Sequence, residues 1–306
     1  MINKKVICII VLLVSMLLPL GAQVVESTNE MEVIPSKKKE SLFSWSASAL
    51  VTSNYIWRGL YVGGPSVQLD ATVGYAGLFA NVWWNIGAGD WTFSSLKPEM
   101  DVAIGFSRWG LSVYYLHCFY FDHYADGTMS RFFDFRNNTQ GGTTGEWRVI
   151  YNRPVYTNKR GWTTSVNGLC AVRTFSRDGY YVETRGEEAS RLEGEKEWKR
   201  AYSTYIEVGV DQTFGQNWSL VARLVITPAK SMYTGYQGDF AVTLVGLKLN
   251  KGWDLGAVSE KRVGRLEAFV HVMLQPWHVN KDNLILPIGQ AGGQKLNVAV
   301  GLQWSI

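Results

Sequence analysis

The sequence predicts an all-β protein, a twelve-stranded antiparallel up-and-down transmembrane β-barrel. Three observations predict this fold class. Apolar and polar residues alternate with a period of two along many segments, the connections between the segments are alternately short and long, and tryptophans gather near the segment ends. Strands of a membrane barrel alternate because one face meets lipid and the other meets the interior, and their turns are short on one side and long on the other.

The composition narrows the class of protein. Of the 306 residues, 46% are hydrophobic and 18% are charged, whereas about 25% are charged in an ordinary soluble domain. The net charge of +4 gives no electrostatic reason to expect nucleic acid as a partner. A mean hydropathy of -0.05 and a single long apolar run exclude a polytopic helical membrane protein. An exported, soluble β-sandwich remains the alternative to a membrane barrel.

The chain begins with a candidate targeting segment. Lys4 and Lys5 precede a continuous apolar run that ends in small residues, which is the pattern of a secretory signal peptide. We expect residues 1–22 to be removed after Sec-type export, with an uncleaved anchor as the alternative. Residues 23–41 are polar and lack periodicity, which predicts a flexible periplasmic lead-in. Residues 42–306 are then expected to form a barrel in the outer membrane of a Gram-negative bacterium.

The strands are predicted from alternation, which is clearest at the C-terminus. From Leu296 to Ile306, large apolar residues alternate with small or polar ones without a miss. In the tenth strand, Lys248 and its apolar neighbours disturb the pattern, which predicts a β-bulge. An apolar strand at the end of the chain also suits recognition by the barrel-assembly machinery. The twelve predicted strands are 43–57, 67–76, 78–86, 99–107, 111–121, 146–151, 162–175, 202–214, 218–227, 239–249, 265–275 and 295–306.

The connections between these strands predict the orientation of the barrel. Odd-numbered connections are mostly long and even-numbered ones mostly short, so both termini are expected on the short-turn, periplasmic side. Two even-numbered connections, 152–161 and 250–264, are longer than this pattern favours. The longest loops are 122–145 and 177–200, and 13 of the 24 residues in the second are charged.

Tryptophans near the strand ends predict two aromatic girdles, as the interfaces of a bilayer select. They indicate outer-membrane lipid as a partner of the barrel. The tryptophans near the short turns are Trp45, Trp109, Trp162, Trp218, Trp253 and Trp304, and those near the long loops are Trp57, Trp147 and Trp277.

Residues 50–120 carry a resemblance to a known family. The run from Thr52 to Gly59 contains Tyr-x-x-Arg-Gly, and the next strands contain Gly-x-x-Ala-x-x-Trp at 77–83 and Glu-x-Asp-x-x-x-Gly at 99–105. This ordered series resembles the TorF-type porin family of Gram-negative outer-membrane barrels, and 205–209 resembles a later strand of that family. The resemblance implies a barrel with a pore and supplies no substrate.

The sequence offers no catalytic or metal-binding pattern. An outer-membrane hydrolase needs a nucleophile beside a histidine base, and the surroundings of the four histidines do not fit one. No two histidines or cysteines have the spacing of metal ligands. We therefore expect no enzyme, no cofactor and no metal, although a catalytic role for His271 stays possible. Cys118 and Cys170 fall on non-adjacent strands and opposite faces, which predicts two unpaired thiols.

The polar face of the strands supplies the candidate functional residues. Charged groups on this face must be wet and line a pore, or be paired and fill the lumen, because unpartnered burial is costly. Arg58, near the outer mouth, is expected either to contact solute or to form a clamp with a carboxylate. The candidate pore-lining residues are Arg58, Asp70, Asp101, Glu146, Arg148, Arg173, Glu207, Asp211, Arg223, Arg265, Glu267 and His271.

These features predict a porin-like channel for the passive diffusion of small polar solutes. The first alternative is a non-conducting structural or surface-interaction barrel that acts through its long charged loops. An outer-membrane hydrolase and a soluble sandwich are further alternatives. Strand number does not decide between a wet and a filled lumen, because about eight strands give a filled interior and about sixteen leave a channel.

Overall fold

The computed structural model describes most of the predicted barrel. The described residues are 42–88, 96–121, 130–135, 143–175, 178–183, 196–236, 240–258, 261–276 and 296–306. The predicted signal peptide and lead-in, Trp277, and most of the two longest loops lie outside these residues.

Twelve strands form one closed antiparallel barrel. In chain order they are β1 (Phe43–Thr52), β4 (Ser66–Tyr75), β5 (Leu78–Ala88), β6 (Leu96–Arg108), β7 (Leu111–Tyr120), β8 (Thr143–Thr157), β9 (Thr163–Phe175), β12 (Thr204–Phe214), β13 (Trp218–Thr227), β14 (Ala241–Asp254), β17 (Arg265–Leu274) and β18 (Leu296–Ser305). Each strand pairs with its neighbours in this series, and β1 closes the barrel against β18 from Ser48 opposite Ser305 to Thr52 opposite Gly301. The predicted fold class is confirmed.

Three small hairpins and one short helix complete the described structure. The hairpins are β2 (Tyr55–Trp57) with β3 (Leu60–Gly63), β10 (Gly179–Glu183) with β11 (Lys196–Arg200), and β15 (Ala257–Val258) with β16 (Lys261–Arg262). A 3-10 turn spans Met232–Thr234. Among the described residues, no helix is long and apolar enough to cross a bilayer.

Two short turns show why the chain reverses where it does. Ala76 and Gly77 have φ of 54° and 93°, and Trp109 and Gly110 have φ of 57° and 81°. Two consecutive positive φ values define the two-residue hairpin turn whose twist matches that of its strands, and glycine at the second position avoids the steric penalty. These turns set the register of β4 with β5 and of β6 with β7.

The outer surface of the barrel is apolar. Along β18, Leu296, Val298, Val300 and Leu302 are 45–56% exposed, while Asn297 and Ala299 between them are buried. The exposed face therefore carries the large apolar residues, which is the arrangement of a lipid-facing strand. Of the predicted girdle, Trp45, Trp109, Trp147, Trp162, Trp218, Trp253 and Trp304 are exposed.

The prediction was wrong at the end of the first strand. The alternation continues to Trp57, but the barrel strand ends at Thr52, and Tyr55–Trp57 turns into the lumen as β2. Trp57 therefore packs against Tyr233, with ring centroids 5.8 Å apart, and does not belong to the outer girdle. A period of two describes an inward hairpin as well as a wall strand, so the pattern could not show the break.

Two of the strands that are longer than predicted explain the connections that looked too long. The sixth barrel strand is β8, of 15 residues, and the tenth is β14, of 14 residues, so one connection shortens to a turn and the other to the hairpin β15–β16. The tenth strand does contain a bulge, but it lies at Thr243: Val225 pairs with Leu244 and Ile226 with Val242, whereas Lys248 pairs in regular register with Val221.

The two cysteines occupy the predicted faces. Cys118 is buried on the lumen side of β7, and Cys170 is exposed on the outer side of β9, with β8 between the two strands. Both thiols are free.

Candidate functional site

The half of the lumen near the long loops contains two inward-folded segments. We call them together the plug: residues Tyr55–Gly63, which contain hairpin β2–β3, and residues Met232–Tyr236, which contain the 3-10 turn. A twelve-stranded wall encloses more space than its own side chains fill, since about eight strands already leave an interior just wide enough for side chains. Chain from the loops takes up the difference.

The turn between β2 and β3 depends on one glycine. Arg58 and Gly59 have φ of 50° and 81°, so the chain reverses through two left-handed residues. A Cβ on Gly59 would lie 2.5 Å from Cδ1 of Leu244 on the wall strand β14. The carbonyl oxygen of Gly59 also accepts a hydrogen bond from Asn297 Nδ2 at 3.1 Å. The turn therefore lies directly against the part of the wall that contains β14 and β18.

Arg58 joins the plug to the far wall. Its Nη1 and Nη2 donate to the two oxygens of Glu146 on β8, at 2.7 and 2.6 Å. Nη1 also donates to the hydroxyl of Tyr233 at 2.7 Å, so Arg58 links both segments of the plug. Its guanidinium carbon lies 4.3 Å from the centroid of the Tyr205 ring, a cation–π arrangement. Burial lowers the pKa of Arg58, but the Glu146 carboxylate raises it further, so the side chain stays charged.

The second segment of the plug is anchored to residues between β9 and β12. The backbone N–H of Met232 donates to Ser203 Oγ at 2.8 Å, and the backbone N–H of Ser203 donates to Asp178 Oδ2 at 2.7 Å. Ser203, Asp178 and Met232 are all buried. Burial raises the pKa of Tyr236, with the nearby Asp178 carboxylate as a second cause, so this phenol keeps its proton.

An apolar core forms around the plug inside the barrel. Its buried members come from the plug and from the wall: Leu50, Leu60, Ala171, Tyr205, Val225, Met232, Tyr233, Leu244, Phe269, Met273 and Ala299. Apolar contacts of this kind exclude water from between the plug and this part of the wall.

A chamber of about 1070 Å³ lies beneath the plug. It extends from Arg58 and Trp57 at the plug to the turn at Arg108–Gly110 on the short-turn side of the barrel. Its wall combines apolar and polar side chains. The apolar ones include Phe79, Leu116 and Ile150, and the polar ones include Asp70, Asn167 and Lys248.

The candidate pore-lining residues lie on the lumen side but in different environments. Glu146 pairs with Arg58 and also accepts from Arg148 Nε at 2.5 Å. Arg223 pairs with Glu207 on the neighbouring strand β12. These pairs form the paired lattice that was one of the two expected arrangements. Those that line the chamber are Arg58, Asp70, Asp101, Arg148, Glu207, Arg223 and His271.

The remaining candidates are distributed above and below the chamber. Arg173 lies under the plug, with its guanidinium carbon 4.9 Å from the centroid of the Trp57 ring. Asp211 is buried on β12. Arg265 and Glu267 lie near the periplasmic end of β17 and are 3.9 Å apart, with partly exposed side chains.

Sequence reasoning missed several residues of the site. Lys248 lies on the lumen side opposite His271, and its Nζ is 4.4 Å from the centroid of the Phe269 ring. Because the alternation in this strand is disturbed, the sequence did not show on which face Lys248 lies. Its pairing with His271 on the neighbouring strand would have placed it on the lumen face. Tyr205 and Tyr233 were missed because the candidates on the polar face were restricted to charged residues and one histidine. Glu99 was missed although it belongs to the Glu-x-Asp motif and lies two residues from Asp101.

Comparisons with known proteins give a partial likeness in fold. No family model and no curated protein matches the sequence. Among solved structures, the chain is similar to an outer-membrane channel from Pseudomonas putida F1, with 9% identity and a TM-score of 0.42 over 90% of this chain and 99% of that one. The fold assignment rests on the closed strand order of this chain itself.

Proposed function

We propose that this protein is a porin-like channel of the Gram-negative outer membrane, through which small polar solutes diffuse passively, and that the plug holds it closed at the extracellular end. The chamber beneath the plug carries the proposal. A barrel that served only as a scaffold for its loops would have no need of an open volume of about 1070 Å³ reaching its periplasmic turns. We propose further that the chain arrives by Sec-type export and is inserted by the barrel-assembly machinery.

The chamber wall suits small polar solutes. Asp70, Asn81, Asn167 and His271 offer hydrogen-bonding groups to its interior. Asn81 Nδ2 donates to Asp70 Oδ2 at 2.9 Å, so part of this polar surface is held in a fixed orientation. Positive and negative groups are both present, which favours weak ion selectivity over a strong preference for one sign of charge.

Opening the channel requires the plug to leave its place. The strongest attachment is the pair of charged hydrogen bonds between Arg58 and Glu146. Removing one partner of a buried ion pair costs about 3–5 kcal/mol, because a charge is left uncompensated. The closed state therefore depends on one contact that a single substitution can remove.

One observation favours the alternative of a non-conducting barrel. The apolar core around Tyr205, Tyr233 and Leu244 packs the plug against the part of the wall that runs from β9 to β1, as in a permanently filled interior. Function would then reside in the long loops 122–145 and 177–200, acting on the cell surface. The following experiment distinguishes the two functions.

Planar-bilayer recording of the full chain tests the proposal. We expect rare openings for the wild type and frequent discrete openings for Arg58→Ala. Arg108→Ala is the matched control, since Arg108 also stacks on a tryptophan, with its guanidinium carbon 4.4 Å from the centroid of the Trp109 ring, but lies outside the plug. It should behave as the wild type. Silence of all three proteins after verified insertion would overturn the channel proposal and favour the non-conducting barrel.

A further inference from the structure

Two carboxylates and a thiol meet on the lumen wall beside the plug. Glu99 and Asp101 are two residues apart on β6 and so share the lumen face, and Cys118 on β7 is the register partner of Asp101. One oxygen from each carboxylate and the sulfur of Cys118 all lie within 4.8 Å of one another. Three side chains from two neighbouring strands therefore converge on one point.

The three side chains of the cluster are buried, and one of their oxygens lacks a hydrogen-bond partner. Glu99, Asp101 and Cys118 are 6%, 9% and 5% exposed. Oδ1 of Asp101 has no hydrogen-bond partner among the described residues. A buried carboxylate oxygen without a partner is unfavourable unless a cation or a donor compensates it.

The neighbouring arginines are shared with other groups. Nε of Arg148 donates to Glu146 at 2.5 Å, and the guanidinium of Arg173 lies over the ring of Trp57. The Tyr55 hydroxyl donates to Glu99 Oε2 at 2.8 Å, which fixes the orientation of that carboxylate in the way that outer groups orient metal ligands.

We propose that Glu99, Asp101 and Cys118 bind a divalent cation of the zinc class. Carboxylate and thiolate together are zinc ligands, whereas Mg²⁺ and Ca²⁺ prefer oxygen alone. An ion central to three atoms at most 4.8 Å apart lies within about 2.8 Å of each, so small side-chain rotations reach zinc bonds of about 2.0–2.3 Å. Binding releases the Cys118 proton to water and leaves a thiolate on the metal.

The chamber gives the ion a route and an open coordination position. Asp101 lines the chamber, while Glu99 and Cys118 lie behind it in the wall. An ion entering from the periplasmic side thus meets Asp101 first. Three protein ligands leave a fourth position for water or an anionic solute facing the chamber. This proposal does not depend on conduction.

Cobalt(II) titration of the full chain in detergent tests the site, because cobalt replaces zinc and reports a thiolate ligand by charge-transfer absorption in the near ultraviolet. We expect one cobalt per chain with this band in the wild type. Cys118→Ser should lose the band. Cys170→Ser is the matched control and should keep it, because Cys170 lies on the outer face. Zinc should displace the cobalt, and a similar concentration of magnesium should not.

A second variant keeps the test decisive if Cys118→Ser does not fold, as judged by its mobility in unheated SDS gels. Asp101→Asn retains the thiol and the shape of the side chain but removes one anionic ligand. We expect its cobalt affinity to fall by at least the roughly tenfold that the loss of an outer-shell partner causes. The proposal is overturned if the wild type shows no thiolate band, if Cys118→Ser retains it, or if Asp101→Asn binds as tightly as the wild type.

Discussion

Arg58 donates two hydrogen bonds, of 2.6 and 2.7 Å, to Glu146 across the lumen, although the two residues are 88 positions apart in the chain. A bidentate arginine–carboxylate pair fixes both distance and orientation. Because Arg58 is also bonded to Tyr233, one guanidinium holds the hairpin, the second plug segment and the β8 wall together. Substitutions in this arrangement, or in the surfaces around it, should therefore change the stability of the barrel or the opening of the channel.

Replacing Glu146 should destabilise the barrel strongly. Glu146→Ala leaves Arg58 and Arg148 buried without their shared partner, for which we expect a loss of about 3–5 kcal/mol in the free energy of unfolding. Denaturant unfolding in detergent measures it. Glu267→Ala is the matched control, because its ion pair with Arg265 spans 3.9 Å between partly exposed side chains and should contribute at most about 1 kcal/mol. Equal losses for both variants would contradict the central role of Glu146.

A methyl group on Gly59 should displace the plug. Gly59→Ala combines a left-handed φ of 81° with a Cβ 2.5 Å from Leu244 Cδ1. Gly161→Ala separates the two effects, since Gly161 has φ of 74° but nothing within 4 Å of the added carbon. The control should lose only the backbone term of about 1–2 kcal/mol. We expect Gly59→Ala to lose more stability and to raise opening frequency in bilayers, and openings as rare as those of Gly161→Ala would argue against a plug seated on Leu244.

A charge on the outer face should be costly because that face meets lipid. Val300→Arg places a cation at a mid-strand position of β18 that is 46% exposed. We expect a loss of about 2–4 kcal/mol in lipid vesicles, the range for arginine near the bilayer midplane. Gln303→Arg, on the lumen side of the same strand, should cost less. In a soluble protein, arginine at an exposed valine position would be nearly neutral, so a small effect at Val300 would contradict a lipid-facing surface.

The wall and the plug differ in how far local sequence could predict them. Alternation and the two-residue turns fixed by Gly77 and Gly110 are local signals, so all twelve wall strands were predicted in order. The plug depends on contacts between residues distant in sequence, such as Arg58 with Glu146. The segment Tyr55–Trp57 keeps the period of a wall strand, so only its partners reveal that it turns inward. For the same reason, the sequence could not show that Glu99 lies close to Cys118, because their proximity depends on the register of β6 with β7.

Ion selectivity should reveal whether the chamber is the conducting path. Lys248 lines the chamber, whereas Lys251, three residues later on β14, lies over the outer Trp218 ring with Nζ 4.9 Å from its centroid. In the Arg58→Ala background, Lys248→Glu replaces a cation of the lumen by an anion. The reversal potential in a salt gradient should then shift toward cation selectivity, because the carboxylate attracts cations to the path and repels anions. Lys251→Glu makes the same change outside the lumen and should leave the potential unchanged. If both variants shift it equally, or neither does, ions do not pass Lys248, and conduction through the chamber is excluded.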